Sequence, residues 1–79
     1  ASTNAGQAVS LLQIAEGAMG QVSDILVRMK SLAVQASSGQ LSNTDRSTLN
    51  AEFVALRNEI DRIADDTEFN GTKLINASG

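Results

Sequence analysis

The densest group of reactive side chains is acidic: Asp61, Asp65, Asp66 and Glu68 fall close together near the C-terminal end. Paired carboxylates act as acid and base when burial raises the pKa of one of them, and these four sit at the polar end of a helical pattern, in water. The groups that would complete a hydrolytic or nucleophilic site are missing, since the sequence contains no His and no Cys. There is then no imidazole base, no thiolate and no Ser-His pair. The residues point to no catalytic site and no enzyme.

Calcium is the second chemistry that the cluster suggests. Asp66, Glu68, Asn70 and Gly71 match the first, third, fifth and sixth positions of an EF-hand loop, but the twelfth, where a bidentate Glu belongs, is Ala77, and the eighth is Lys73. We read a turn after an acidic helix end, with no metal site and no cofactor. Zinc is excluded by the lack of Cys and His ligands. Asn76-Ala77-Ser78 is a glycosylation sequon by pattern only.

With chemistry set aside, the remaining property of the chain is how it packs. Its 79 residues allow one domain with a small core. Phe53 and Phe69 are the only aromatics, so that core must be aliphatic. A net charge of -3 and a pI near 4.6, with six scattered Lys and Arg, argue against nucleic acid as a partner. No apolar run approaches the roughly 20 residues that cross a bilayer, so no membrane partner is expected, and no basic leader followed by an apolar block is visible. The missing initiator Met suggests a piece of something longer.

Ala8 to Ala36 is the stretch that organises the chain. With Ala8 as heptad position a, the a, d and e positions read Ala8, Leu11, Leu12, Ala15, Ala18, Met19, Val22, Ile25, Leu26, Met29, Leu32, Ala33 and Ala36, all apolar. Polar residues fill the opposite side, which is the signature of a helix and not of a strand with its period of two. At about 1.5 Å per residue the stripe is a rod of roughly 40 Å. A stripe so long and so broad must be covered by other helices, because little of a helix's stability comes from propensity alone. Gly6, Gly17 and Gly20 lie off this seam, as do Val27 and Val34, the last two on one row seven residues apart. That weak second stripe suits a helix packed on two sides.

Capping residues at Ser2, Thr3 and Asn4 predict a first helix over about 3–37. Ser37, Ser38, Gly39 and Gln40 end it, with Gly39 as the left-handed C-terminal residue, and the loop spans 38–42. Ser42 and Asp45 have capping-box spacing and open a second helix over about 43–65. Its seam is Leu49, Phe53, Leu56, Ile60 and Ile63, in alternating steps of four and three. So short a loop makes the helices antiparallel neighbours. Phe69-Asn70-Gly71-Thr72 predicts a turn and Lys73 to Ile75 a short extended piece, so 66–79 reads as a turn or the start of a β-hairpin. The expected fold is all-α: residues 1–79 form a fragment of one helical domain, a helical hairpin belonging to a larger coiled-coil-like bundle. In this reading Ala8 to Ala18 outruns the second helix, and a third helix is missing.

Arg28-Met29-Lys30 followed by Leu32-Ala33-Val34-Gln35, then Ser42-Asn43-Thr44-Asp45-Arg46, Ile60-Asp61-Arg62-Ile63-Ala64 and Phe69-Asn70-Gly71-Thr72-Lys73-Leu74, with Ala15-Glu16-Gly17-Ala18 upstream, stand in a specific order. In that order the chain resembles bacterial flagellin, in the amino-terminal half of its inner helical domain, over essentially all of its length. The resemblance implies a structural subunit of the flagellar filament, secreted to the outside of the cell and assembled for motility by packing of helical faces. It implies other flagellin subunits as partners in a homopolymer, a third helix from the carboxy-terminal half of the same full-length chain, and a flagellar chaperone or cap protein. It also implies innate immune recognition by a Toll-like receptor. The family's receptor-contacting positions fall on Arg28, Leu32 and Glu52, with Gln35 nearby, while Ser31 and Val27 depart from the family's Glu and Gln. Some plant receptors of the family's proteins read a segment overlapping Asp24 to Asp45. Val27, Val34, Gly17 and Gly20 are the expected subunit contacts. The alternatives are a hook-filament junction protein of the same design and a stand-alone helical adaptor that docks a partner helix.

Overall fold

The computed structural model describes residues 2–77, with side chains from residue 3 onward. It contains two helices, α1 (Ser2–Ala36) and α2 (Asn43–Ala77), joined by a six-residue loop and packed on one another. Contacts between them move away from the loop in both directions: Arg46 reaches Ala36, Arg28 reaches Glu52, and Leu11 lies beside Gly71. The pair is therefore an antiparallel hairpin, and its Cα envelope measures 61 × 16 × 9 Å. No strand occurs among the described residues.

The hairpin is zipped by the a and d rows of α1. Leu11, Ala15, Ala18, Val22, Ile25, Met29 and Ala36 are half-buried and Leu32 is fully covered, with 1% of its surface exposed. From α2 come Leu49, Phe53, Leu56, Ile60, Ile63, Thr67, Gly71 and Leu74, of which Ile63 is buried at 5%. The steps of four and three that begin at Leu49 thus run on past Ile63 with only one irregular interval, at Gly71. Two helices alone bury few side chains completely, because each offers only one face to the other.

Three expectations are corrected. First, α2 does not stop near residue 65 and no turn or β-hairpin start follows; Phe69 to Thr72 lie inside the helix, which runs to Ala77. Asn, Gly and Thr are poor helix formers, but here the segment lies along the N-terminal half of α1, and packing outweighs propensity. At Gly71 the Leu11 methyl comes within 3.6 Å of where a Cβ would stand. Residues 78–79 of the expected tail, and Ser78 of the sequon, lie outside the described residues. Second, Ala8 to Ala18 is therefore matched along its length by α2. Third, Gly39 is not left-handed, for no described residue has positive φ. Instead the last turn tightens: the Ser37 N–H donates to the carbonyls of Ala33 (3.1 Å) and Val34 (3.2 Å), the Ser38 N–H to Gln35 (3.1 Å), and the Ser37 hydroxyl to Val34 (2.7 Å).

Candidate assembly surface

The two edges of the zipped seam differ in chemistry. On one edge lies the e row of α1, where Leu12, Met19 and Leu26 are 52–64% exposed and Ala33 is open as well. Beside it the helices leave an apolar groove of about 570 Å³, walled by Ala15, Met19, Val22 and Leu26 from α1 and by Ile63 and Ala64 from α2. A second groove of about 410 Å³ lies nearer the loop, between Ala33, Ala36, Leu49 and Phe53. Leucine and methionine left in water at regular seven-residue spacing make a linear apolar surface, the shape another helix covers.

The other edge, the g row, is polar from Gln21 onward, after Ile14. Arg28 donates from Nε (2.9 Å) and Nη2 (2.8 Å) to Oε1 of Glu52 across the hairpin. Both side chains remain roughly half exposed, so the pair contributes under about 1 kcal/mol. Farther from the loop, Arg62 forks between Glu59 and Asp66, with 2.6 Å to Oδ2 of Asp66. The hydrogen bond and charge of Arg62 hold the Glu59 carboxyl below its ordinary range, and those carboxylates hold the Arg62 guanidinium above its own. Asp61, Asp65, Asp66 and Glu68 are exposed along the continuous α2 helix. Among the described residues no group of three or more acidic side chains converges as metal ligands would.

Of the four positions singled out for receptor contact, the structure brings Arg28 and Glu52 together, while Gln35 lies farther along the same edge and Leu32 is buried in the seam. Arg28 and Glu52 are bound to each other. Leu32, one turn beyond Arg28, is buried in the seam at the groove nearer the loop, and Gln35 is exposed beside Leu41, Asp45 and Leu49. Of the subunit-contact positions, Gly20, Val27 and Val34 share the f row on the back of α1, exposed and facing away from α2. Gly17 stands on a different row and lines a polar groove with Gln13, Gln21 and Arg62. A Cβ at Gly17 or Gly20 would meet nothing within 4 Å, so the hairpin itself does not require glycine there.

Sequence reasoning overlooked Arg46. Its guanidinium donates to the Ala36 carbonyl (2.5 Å) and the Ser38 carbonyl (2.9 Å) at the end of α1. The available signal was a basic residue in the first turn of α2, where the helix dipole disfavours it, together with the lack of any basic residue in the last turn of α1.

The described residues thus form an amphipathic helical hairpin with one apolar edge open to solvent. The sequence profile of the bacterial flagellin N-terminal helical region matches residues 1–79, and the chain belongs to that family. It is 50% identical over 78 residues to a flagellin of Clostridium tyrobutyricum and 47% identical over 78 residues to flagellin A of Vibrio cholerae serotype O1, in each case across 99% of this chain and 21% of the relative. To polar flagellin F of Vibrio parahaemolyticus it is 43% identical over 75 residues, covering 95% of this chain and 20% of the relative. The chain thus spans about a fifth of the length of these curated relatives. No solved structure matches it significantly. No helix among the described residues is long and apolar enough to cross a membrane.

Proposed function

We propose that this chain is the N-terminal helical part of a structural subunit of the bacterial flagellar filament. It acts outside the cell, performs no chemistry, and assembles with other flagellin subunits and with a helix from the remainder of its own chain. The observation that supports this most directly is the uncovered row Leu12, Met19 and Leu26 along a chain of the flagellin family. A row of this kind has no use in a free-standing hairpin and every use in a bundle or polymer. The exposed Val27 and Val34 on the back of α1 serve as subunit contacts, joined by Gly20 and, on its neighbouring row, Gly17. In the full-length protein, replacing both valines (Val27→Lys with Val34→Lys) should abolish filament growth, followed by electron microscopy and sedimentation, while far-UV circular dichroism stays at the wild-type level. Filaments of normal length from that variant refute the assignment.

The Arg28–Glu52 pair, with Gln35 exposed two turns of α1 beyond Arg28, supports a second role, recognition by an innate immune receptor of the Toll-like class. Arg28, Gln35 and Glu52 would offer the polar contacts, and Leu32 would support them from the seam. Replacing Arg28 and Glu52 together by Ala should lower receptor activation at least tenfold in reporter cells, a loss of about 1.4 kcal/mol in binding, with folding unchanged. Full activation by the double variant removes this role and leaves the structural one standing.

A further inference from the structure

We propose that Arg46 is a latch that makes the last turn of α1 depend on the first turn of α2. A helix leaves its final carbonyls without intrahelical partners. Here α1 has no basic residue in its last turn and no left-handed glycine after it. The guanidinium of Arg46 supplies what is missing, one N–H to the Ala36 carbonyl at 2.5 Å and another to the Ser38 carbonyl at 2.9 Å. Placed at the start of its own helix, where a cation is disfavoured, Arg46 instead meets the negative end of the neighbouring one.

The latch is held by a local device. The Ser42 hydroxyl accepts from the Asp45 N–H (3.0 Å), the Asp45 carboxylate accepts from the Ser42 N–H (3.3 Å), and the Arg46 N–H donates to the Ser42 carbonyl (3.0 Å). This closed turn fixes where the Arg46 side chain starts. Once the turn opens, the guanidinium no longer has a defined origin and the Ala36 and Ser38 carbonyls lose the donors it supplies. Coupling follows from the geometry: opening the first turn of α2 loosens the end of α1, which then keeps only the local bonds of Ser37 and Ser38. Arg46 also lines the apolar groove near the loop, beside Ala36, Leu49 and Phe53, so the latch holds the closed end of that groove in shape.

Hydrogen exchange with mass-spectrometric readout tests this in the full-length protein, in monomeric form, on peptides that contain the Ser37 and Ser38 amides. Arg46→Ala should speed their exchange about tenfold, while amides in the middle of α1 are unaffected. Arg46→Lys should fall between, because an ammonium keeps the charge but cannot fork to two carbonyls. Ser42→Ala should loosen the same amides when Arg46 is present and add little when Arg46 is already Ala. Unchanged exchange in Arg46→Ala or in Arg46→Lys overturns the latch, as do strictly additive effects of Ser42→Ala and Arg46→Ala. If the Ala variant does not fold, Arg46→Lys and Ser42→Ala still decide the question.

Discussion

Leu32 shows how little of this chain is shielded and how much depends on the part that is. It is the only described side chain less than 2% exposed, packed between the helices within a turn of the Arg28–Glu52 bridge. Truncation to Ala removes contacts that nothing else replaces, so Leu32→Ala should destabilise the full-length protein by about 2–3 kcal/mol, the low end for core truncations because water can enter from the open edge. Urea denaturation measures it. A midpoint shifted no more than that of Arg28→Ala, which should lose less than about 1 kcal/mol, would show that the hairpin is not organised on Leu32. The Arg62 fork responds to acid instead. The Glu59 carboxyl titrates below its ordinary range, so its contribution is present above the unfolded carboxylate pKa and is lost as pH falls through the lower folded value. Acid titration of helicity should therefore show a small loss in the α2 region that Arg62→Ala abolishes; an identical titration in that variant would contradict the assignment.

At the scale of elements, the apolar rows of α1 and the Ser42–Asp45 capping box were legible because both are local patterns, one in period and one in spacing. The fate of residues 66–77 was not. Thr67, Asn70, Gly71 and Thr72 each favour leaving the helix, and only the opposing α1 seam, unseen in a linear reading, keeps them in it. A faint signal existed: Thr67 and Leu74 sit where the four-and-three spacing begun at Leu49 allows a seam to continue. The partnership of Arg46 with Ala36 was hidden for the same reason, since it belongs to two helices at once. Gly71 tests the element directly. A Cβ there stands at ordinary contact distance from Leu11 and the backbone is not left-handed. Gly71→Ala should raise stability by about 0.5–1 kcal/mol in thermal unfolding, and a destabilised variant would mean that the segment is not helical in the full-length protein.

The whole molecule is a slab, not a globule. Its accessible surface of 5734 Å² exceeds the roughly 4,600 Å² expected for a compact protein of this mass, and only Leu32 and Ile63 among the described residues are buried apolar side chains. The sequence already indicated that the stripe was too broad for a hairpin, because its e row had no partner once a and d were used. The candidate contacts themselves were only partly readable. Val27, Val34 and Gly20 follow from heptad position, whereas the binding of Arg28 to Glu52 needed three dimensions. We expect the isolated 79-residue chain to show far less helix by circular dichroism than its two 35-residue helices would give, and to gain helix when a complementary amphipathic helix is added. Full helicity in isolation, independent of any addition, would contradict this.

The thinness of the slab has a thermodynamic consequence. With only 9 Å between its outermost Cα atoms in the short direction, a third helix laid in the groove would touch both existing helices at once. Ordering and docking then become one equilibrium, governed by mass action. The melting temperature of such a piece is a property of the mixture: it should climb with the logarithm of the concentration of whatever covers the groove, and level off once that helix is tethered to the same chain.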